Sequence, residues 1–219
     1  MYQPTQGDLQ LYDEFLARTG VDRLQKILAR YELFKMAMDV PGDIVECGVF
    51  KGSGIYTWAK LQRLFRPNSE RKIVGFDFFE TNREIDLGRR EDKQVLEEHA
   101  TNWASREEIL RNLAAVGVHN VELIAGNVIE TTKACARSRL GFRISLLYLD
   151  LDNYEGTLAS LENLFPLVSP GGVVAFDEYA YQGYGESDAV DNYFRGLKLK
   201  LKSIPWANTP TAYLIKEAF

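Results

Sequence analysis

Five short apolar runs, separated by stretches of helical spacing, constrain the fold of this chain more than any other feature. The runs cover residues 44–47, 73–76, 121–125, 144–149 and 173–176, and turn residues bound each of them. Strands that alternate with helices form a parallel sheet covered on both faces, because right-handed crossovers place the helices there. The sequence therefore predicts an α/β fold with a central, mostly parallel sheet.

Both ends of the chain depart from this alternation. Apolar residues between 9 and 38 recur at three- and four-residue steps, which predicts a helical extension over residues 1–40. Near the other end, the extended runs 201–204 and 211–216 flank a proline-rich connection, so we expect an antiparallel hairpin at one edge of the sheet. A chain of 219 residues with 46% apolar side chains is expected to form one domain, with its Rossmann-like core over residues 41–219.

The composition argues against several classes of protein. The formal net charge is -5, and the Lys and Arg clusters are interrupted by apolar or acidic residues, unlike a nucleic-acid-binding surface. No apolar run approaches the length of a membrane span, and the N-terminus lacks a signal-peptide pattern. Cys47 and Cys135 are too few for a disulfide framework or a zinc cluster. We therefore expect a cytoplasmic enzyme or binding protein.

A glutamate precedes the glycines of the loop that follows the first predicted strand. The pattern is Glu46-x-Gly48-x-x-x-Gly52, and Ser53 opens the next helix. Glycines let the backbone turn tightly and approach a ligand, and the N–H groups at a helix start attract an anion. A glycine pair alone is also typical of an ordinary strand-to-helix turn. The position of Asp77 favours a ligand-binding loop over an ordinary turn, because a carboxylate at the end of the second strand can accept hydrogen bonds from both hydroxyls of a ribose.

Glu46 distinguishes between two kinds of cofactor for this loop. A carboxylate would repel the pyrophosphate of a dinucleotide, but it would attract an ammonium or sulfonium group. S-adenosylmethionine carries both of these groups, together with a ribose and a carboxylate. A nicotinamide-dependent oxidoreductase would share the sheet and the use of Asp77, but it requires a glycine in place of Glu46.

Carboxylates also follow the fourth and fifth predicted strands. Asp150 and Asp152 come after the fourth, and Asp177 and Glu178 come after the fifth. Grouped carboxylates repel one another unless a cation, a proton or basic partners compensate them, and oxygen ligands with open positions suit Mg²⁺. We interpret Asp150 and Asp177 as metal ligands, whereas Asp152 alone is interpreted first as the cap of a helix that begins near Tyr154.

Four stretches of the chain together resemble the macrocin O-methyltransferase family, which includes deoxyhexose 3-O-methyltransferases. They are PGDIVECGVFKG at 41–52, GFDFF at 75–79, DLDNYEGT at 150–157 and SPGGVVAFDEY at 169–179. The similarity extends from about Asp22 to Tyr193 with the motifs in order. The resemblance implies a class I S-adenosylmethionine-dependent methyltransferase fold and Mg²⁺-dependent methylation of a sugar hydroxyl.

The resemblance also implies roles for individual residues. Those that would bind the cofactor are Glu46, Gly48, Gly52 and Ser53 at its methionine end, Asp77 at its ribose, Asn127 and Val128 at its adenine, and Phe78 as a further contact. Those that would bind the metal are Asp150, Asp177 and Glu178. Asn153, Gly156 and a glutamate at position 178 depart from the family pattern near the acceptor side, so the identity of the acceptor stays open.

The expected mechanism places two neighbouring sugar hydroxyls on the metal, which raises their acidity and aims one of them at the methyl group. Asp150 would be catalytic through the ion that it fixes. Asp152 is the preferred general base, ahead of His99, interpreted as a solvated helix position, and of His119, interpreted as part of a surface turn.

Two segments are candidate lids over the acceptor. The charged, irregular stretch 80–103 is either a lid or disordered, and the tyrosines and glycines of 179–188 suit a mobile wall or a subunit contact. The extension 1–40 is another candidate surface for a homo-oligomer. The expected partner is a small sugar-containing acceptor such as a deoxyhexose, a glycosylated natural product or a glycan precursor. A non-catalytic S-adenosylmethionine-binding protein is a further alternative, although it would be expected to have lost its metal ligands.

Overall fold

A six-stranded sheet forms the centre of the computed structural model, which describes residues 5–81, 83–99, 103–197 and 200–217. The strands are β1 (Asp43–Cys47), β2 (Ile73–Asp77), β3 (Val121–Ala125), β4 (Ile144–Leu149), β5 (Val168–Phe176) and β6 (Ala212–Ile215). Their order is β3-β2-β1-β4-β5-β6, and only the β5–β6 pair is antiparallel. The predicted mostly parallel sheet with an antiparallel strand at its C-terminal edge is confirmed.

Helices precede the sheet and connect its strands. Within the described ranges they are α1 (Gln6–Arg18), α2 (Val21–Ala37), α3 (Ser53–Phe65), α4 (Arg90–His99), α5 (Arg106–Ala115), α6 (Val128–Ser138), α7 (Tyr154–Leu164) and α8 (Glu186–Tyr193), with a 3-10 helix at Phe165–Leu167. Local side chains set several of the starts. Ser105, Asn127 and Asn153 accept backbone N–H bonds and so cap α5, α6 and α7.

Both faces of the sheet are buried, which explains why its strands are continuous apolar runs. The two faces of β4 show the division: Tyr148 packs in the same core cluster as Phe34 of α2 and Trp58 of α3. Leu147 packs on the opposite side with Leu161 of α7. Because β1 and β4 lie at the centre of this sheet, the residues at their carboxyl ends are held by a rigid support.

The predicted N-terminal extension consists of two helices that differ in burial. No residue of α1 is buried, whereas α2 buries five residues: Ala29, Arg30, Leu33, Phe34 and Ala37. Helix α2 contacts α3, β4 and β5. It therefore belongs to the layer that covers one face of the sheet.

Two expectations about the irregular parts of the chain need correction. In the tail, only the second of the two predicted runs forms a strand, β6, because β6 pairs with the open edge of β5. The first run contributes an isolated bridge between Lys202 and Tyr213.

The stretch 80–103 is not irregular throughout, since it contains α4. The sequence of α4 is REDKQVLEEH, and its few apolar residues leave too weak a period to predict a helix. Residues 82 and 100–102 of this stretch lie outside the described part of the chain. Among the described residues, no helix is both long and apolar enough to cross a membrane.

Candidate active site

The carboxyl ends of the central strands open into a cleft of about 380 Å³. Most of the predicted site residues line it: Glu46, Gly48, Ser53, Asp77, Phe78, Val128, Asp150, Asp152 and Glu178. Gly52, Asn127 and Asp177 are outside this lining. Asn127 instead caps α6 and donates a hydrogen bond of 2.9 Å to the carbonyl oxygen of Glu84.

Asp77 holds the glycine loop in addition to facing the cleft. One of its carboxylate oxygens accepts N–H bonds from Val49 and Phe50 at 2.8 and 2.7 Å, and the other accepts from Phe78 at 2.6 Å. A carboxylate has about four lone-pair directions, so Asp77 retains acceptor capacity for a ribose hydroxyl. The loop needs glycine at position 48, because a Cβ on Gly48 would lie 1.7 Å from the backbone oxygen of Asp150.

Glu46 lies inside β1 and borders the cleft from there, not from the mouth of the loop. Its side chain is almost completely buried, and Oε1 lies 3.4 Å from Nη2 of Arg30. Burial raises the pKa of Glu46 to about 7, although the charge of Arg30 opposes this shift. The second oxygen, Oε2, is buried without a hydrogen-bond partner. An unpaired buried acceptor is costly, so a ligand that donates a hydrogen bond to it gains binding energy.

Helix α2 supplies three basic residues to the cleft, none of which the sequence analysis predicted. Arg23, Lys26 and Arg30 line the cavity, and their three- and four-residue spacing places them on one face of the helix. Nζ of Lys26 lies 2.8 Å from Oδ2 of Asp177 and 3.3 Å from Oδ2 of Asp150. Burial alone would lower the pKa of Lys26, but these two charges outweigh burial and raise it, so Lys26 remains an ammonium.

Arg30 packs against two aromatic rings. Its guanidinium carbon lies 5.0 Å from the ring centroid of Tyr148 and 5.8 Å from that of Trp58. A stacked arginine beside a carboxylate keeps its charge even when buried. The Tyr148 hydroxyl in turn donates a hydrogen bond to Asp177, which links this packed layer to the acidic residues.

The predicted metal ligands meet at one place. Single oxygen atoms of Asp150, Asp177 and Glu178 all lie within 4.8 Å of one another. Burial raises the pKa of Asp150 and of Glu178, and neighbouring carboxylates raise both further. Glu186 adds a fourth carboxylate that was not predicted: its Oε1 accepts the N–H of Glu178 at 2.9 Å, while its buried Oε2 has no partner. This all-oxygen set has the chemistry of a Mg²⁺ site.

Asp152 does not cap the helix after β4, as one interpretation held. The cap of α7 is Asn153, whose side chain accepts a 2.7 Å hydrogen bond from the N–H of Gly156. Asp152 has a φ of 57°, which is uncommon for a residue other than glycine, and its side chain lines the cleft. Oδ2 of Asp152 lies 3.8 Å from Nδ1 of His99. His99 also lines the cleft, where its ring centroid lies 5.1 Å from that of Phe50, and its side chain is 44% exposed.

Asp92 of α4 connects three separate segments around the cleft. It is buried, and its two oxygens accept N–H bonds from Tyr154 at 2.8 Å and from Gly185 at 2.9 Å. Ile85, Val95 and Leu96 from the first predicted lid segment and Tyr184 from the second also line the cleft. His119 is exposed between α5 and β3, as expected.

This geometry agrees with what comparison with known proteins shows. The model of the macrocin O-methyltransferase (TylF) family matches residues 15–209. The chain belongs to the macrocin O-methyltransferase family. Family membership and the class I methyltransferase fold are therefore as the sequence resemblance implied.

Two curated relatives of this macrocin O-methyltransferase family member come from Streptomyces. It is 32% identical over 180 residues to the 8-demethyl-8-(2,3-dimethoxy-alpha-L-rhamnosyl)-tetracenomycin-C 4'-O-methyltransferase of Streptomyces olivaceus. It is 30% identical over 186 residues to the demethyldecarbamoylnovobiocin O-methyltransferase of Streptomyces niveus. Each alignment covers 80% of this chain and 66% of the relative, so the chain spans just under two thirds of the length of these relatives.

A solved structure shows the same arrangement of the family fold. The apo structure of CalS11, a TDP-rhamnose 3'-O-methyltransferase of calicheamicin biosynthesis, gives a TM-score of 0.72 at 29% sequence identity. The match covers 98% of this chain and 87% of CalS11.

Proposed function

We propose that this chain is an S-adenosylmethionine-dependent O-methyltransferase that acts on a hydroxyl group of a small sugar-containing acceptor. The observation that carries the proposal is the unpaired, buried Oε2 of Glu46 in a cleft that also contains Asp77 and two members, Asp150 and Glu178, of the acidic cluster formed by Asp150, Asp177 and Glu178. A methionine ammonium group would satisfy Glu46, and a dinucleotide pyrophosphate would not. The proposal treats the chain as one methyltransferase domain with lid segments at 80–103 and 179–188.

The cofactor contacts follow from the residues around the glycine loop. N–H groups at the start of α3, beginning with Ser53, suit the methionine carboxylate, because a helix start attracts anions. Asp77 has acceptor capacity for the ribose, with Phe78 beside it, and Gly48 lets the loop approach the backbone of Asp150 closely. Val128 would border the adenine, with Asn127 supporting this end of the cleft through its hydrogen bond to Glu84.

Asp150, Asp177 and Glu178 would hold Mg²⁺, which when bound lowers the pKa of a hydroxyl group that coordinates it. Asp152, adjacent to this cluster in the cleft, would accept the proton of the attacking hydroxyl. The hydroxyl oxygen then forms a bond to the methyl carbon as the carbon–sulfur bond breaks. The products are the methyl ether, S-adenosylhomocysteine and a proton on Asp152.

The names of the relatives support a sugar-containing acceptor. The Streptomyces olivaceus enzyme is named for a rhamnosyl-bearing compound, and CalS11 is named for TDP-rhamnose. Vicinal hydroxyls in any of these acceptors could reach the acidic cluster in the same way. The exposed apolar face of α1 remains a candidate surface for a homo-oligomer.

Thermal shift with S-adenosylhomocysteine and with NAD tests the cofactor, because a ligand that binds the folded state raises its apparent stability. We expect a rise with S-adenosylhomocysteine and none with NAD, and the opposite result would refute the proposal. A panel of nucleotide-linked and glycosylated deoxyhexoses then tests turnover, since a non-catalytic binding protein would give none.

Within that panel, Asp152→Asn should lower kcat by about 100-fold or more, because general-base catalysis contributes at least that much. The same variant should retain the thermal shift with S-adenosylhomocysteine. Full turnover by Asp152→Asn would remove Asp152 from the role of base.

A further inference from the structure

Helix α2 places an ammonium group against the oxygens that would bind the metal ion. Nζ of Lys26 lies 2.8 Å from Oδ2 of Asp177 and 3.3 Å from Oδ2 of Asp150. These two residues supply two of the three predicted ligands, and all the ligand atoms lie within 4.8 Å of one another. A divalent ion and the ammonium would share the same oxygens, and two cations at such a short separation repel each other.

We propose that Lys26 is a built-in counter-cation of the acidic cluster, and that a divalent metal ion must displace it in order to bind. The inference rests on the proposed function, because it takes Asp150, Asp177 and Glu178 as the metal ligands. It assigns to Lys26 a positioning role in the metal-free protein, where the ammonium keeps the carboxylates together.

The two basic residues of α2 that touch the cluster differ in their freedom to move. Arg30 is buried against the rings of Tyr148 and Trp58, with its side chain 3% exposed and its Nη2 3.9 Å from Oδ2 of Asp150, so it remains a fixed partner. The Lys26 side chain is 21% exposed, and its aliphatic stem is flexible. Among its described contacts, no aromatic ring packs against it. Arg23, one turn earlier, is exposed at the rim of the same cleft. A path from the cluster to solvent therefore exists for Lys26 and not for Arg30.

Replacement of the Lys26 ammonium by a divalent ion would increase the positive charge at the cluster. With Lys26 in place, the cluster holds a cation that cannot coordinate a hydroxyl oxygen, because an ammonium has donors and no acceptor or vacant site. A divalent ion held there by Asp150, Asp177 and Glu178 would supply a higher positive charge, which would make a substrate hydroxyl more acidic. Lys26 would thus prevent repulsion within the cluster until the ion arrives.

Lys26→Met tests the inference, since methionine retains much of the apolar stem and loses the charge. Mg²⁺ affinity is measured by isothermal titration calorimetry without cofactor or acceptor, and the melting temperature is measured with and without Mg²⁺. We expect Lys26→Met to bind Mg²⁺ about tenfold more tightly than the wild type, which corresponds to the loss of one competing cation. We also expect its metal-free form to melt at a lower temperature and Mg²⁺ to restore it.

Lys35→Met is the matched control, because Lys35 lies on the same helix and pairs with Glu32 outside the cleft. This control should bind Mg²⁺ as the wild type does. Lys26→Gln, which keeps a polar donor, provides a second neutral variant should the methionine variant fail to fold.

Equal or weaker Mg²⁺ binding by both Lys26 variants overturns the inference, as does the absence of Mg²⁺ binding in the variants and the wild type alike. S-adenosylhomocysteine is titrated into the same samples. A protein that binds it, but whose Mg²⁺ affinity does not depend on Lys26, refutes only the inference. A protein that does not bind it refutes the proposed function.

Discussion

Helices α1 and α2 are adjacent in sequence and have opposite relations to the rest of the molecule. Helix α1 exposes Leu11 and Tyr12, at 67% and 61% of their surface, and buries no residue. Helix α2 buries Phe34 against the sheet and places Lys26 and Arg30 at the acidic cluster. The sheet alone therefore does not complete the cleft, because one of its walls comes from a helix that precedes the first strand.

Helices α1 and α2 show that helical periodicity and burial are separate properties. The apolar spacing predicted one helical extension and did not distinguish these two helices. Among the described residues, α2 has an extensive partner surface in β4, β5 and α3, and α1 has none of comparable extent. Its effect on folding and on the site should exceed that of α1 in every measurement below.

Truncation of one phenylalanine in each helix gives the largest expected difference. Phe34 of α2 is 1% exposed and Phe15 of α1 is 39% exposed. Phe34→Ala should lower the free energy of unfolding by about 3–5 kcal/mol, because it leaves a cavity in the core. Phe15→Ala should change it by no more than about 0.5 kcal/mol. Urea unfolding measures both, and an equally large loss for Phe15→Ala would show that another surface covers α1.

Removal of one positive charge from each helix should give the second largest difference in stability. Arg30→Met leaves the buried carboxylate of Glu46 without its cationic partner, so we expect a loss of about 3–4 kcal/mol in the free energy of unfolding. Arg18→Met, at the exposed end of α1, is the matched control and should be nearly neutral. A neutral Arg30→Met variant would mean that its pair with Glu46 does not stabilise the position of α2.

The stability of the contact between α2 and β1 should depend on pH through Glu46. Burial raises the pKa of Glu46 from 4.5 to about 7, so the folded state binds this proton more tightly than the unfolded state. The contribution of Glu46 therefore favours folding most below about pH 4.5 and is lost as the pH rises through about 7. Glu46→Gln should remove this loss, which amounts to roughly 3 kcal/mol at most.

Urea unfolding of the wild type and of Glu46→Gln at several pH values measures this effect as a difference. The other carboxylates of the cluster contribute to both proteins, so they cancel to first order. Parallel pH profiles for the two proteins would contradict the assignment of a raised pKa to Glu46.

Loss of the α1 cap gives the smallest expected effect. The Thr5 side chain accepts an N–H bond from Asp8, and the Asp8 side chain accepts the N–H of Thr5 at 2.6 Å. Thr5→Ala should weaken α1 by about 1 kcal/mol, visible as faster amide hydrogen exchange within that helix. Affinity for S-adenosylhomocysteine should not change. A fall in that affinity would show that α1, like α2, contributes to the cleft.

The sequence predicted the sheet more completely than the cleft. The bounds of β3 and β4 agree with the apolar runs, because buried parallel strands have a strong and local signal. Lys26 and Arg30 were not predicted, because apolar spacing identifies the buried face of a helix and does not identify the basic residues beside it. Two arginines and a lysine at three- and four-residue steps, on a helix with an otherwise apolar face, were the available signal.

Other errors arose where tertiary contacts decide a local role. Asp152 and Asn153 are both good helix-capping residues, and only the backbone turn at Asp152 shows which of them caps α7. The helical state of α4 depends on contacts such as those of Asp92 with distant backbone N–H groups, which no local pattern records.

The hydrogen bonds of Asp92 also bear on how ligands enter and leave. One carboxylate joins α4 to the first residue of α7, two positions after Asp152, and to Gly185 just before α8. An outward movement of α4 would break both hydrogen bonds, because both end on the same carboxylate. We expect the segments on both sides of the cleft, at the start of α7 and just before α8, to loosen together as a result.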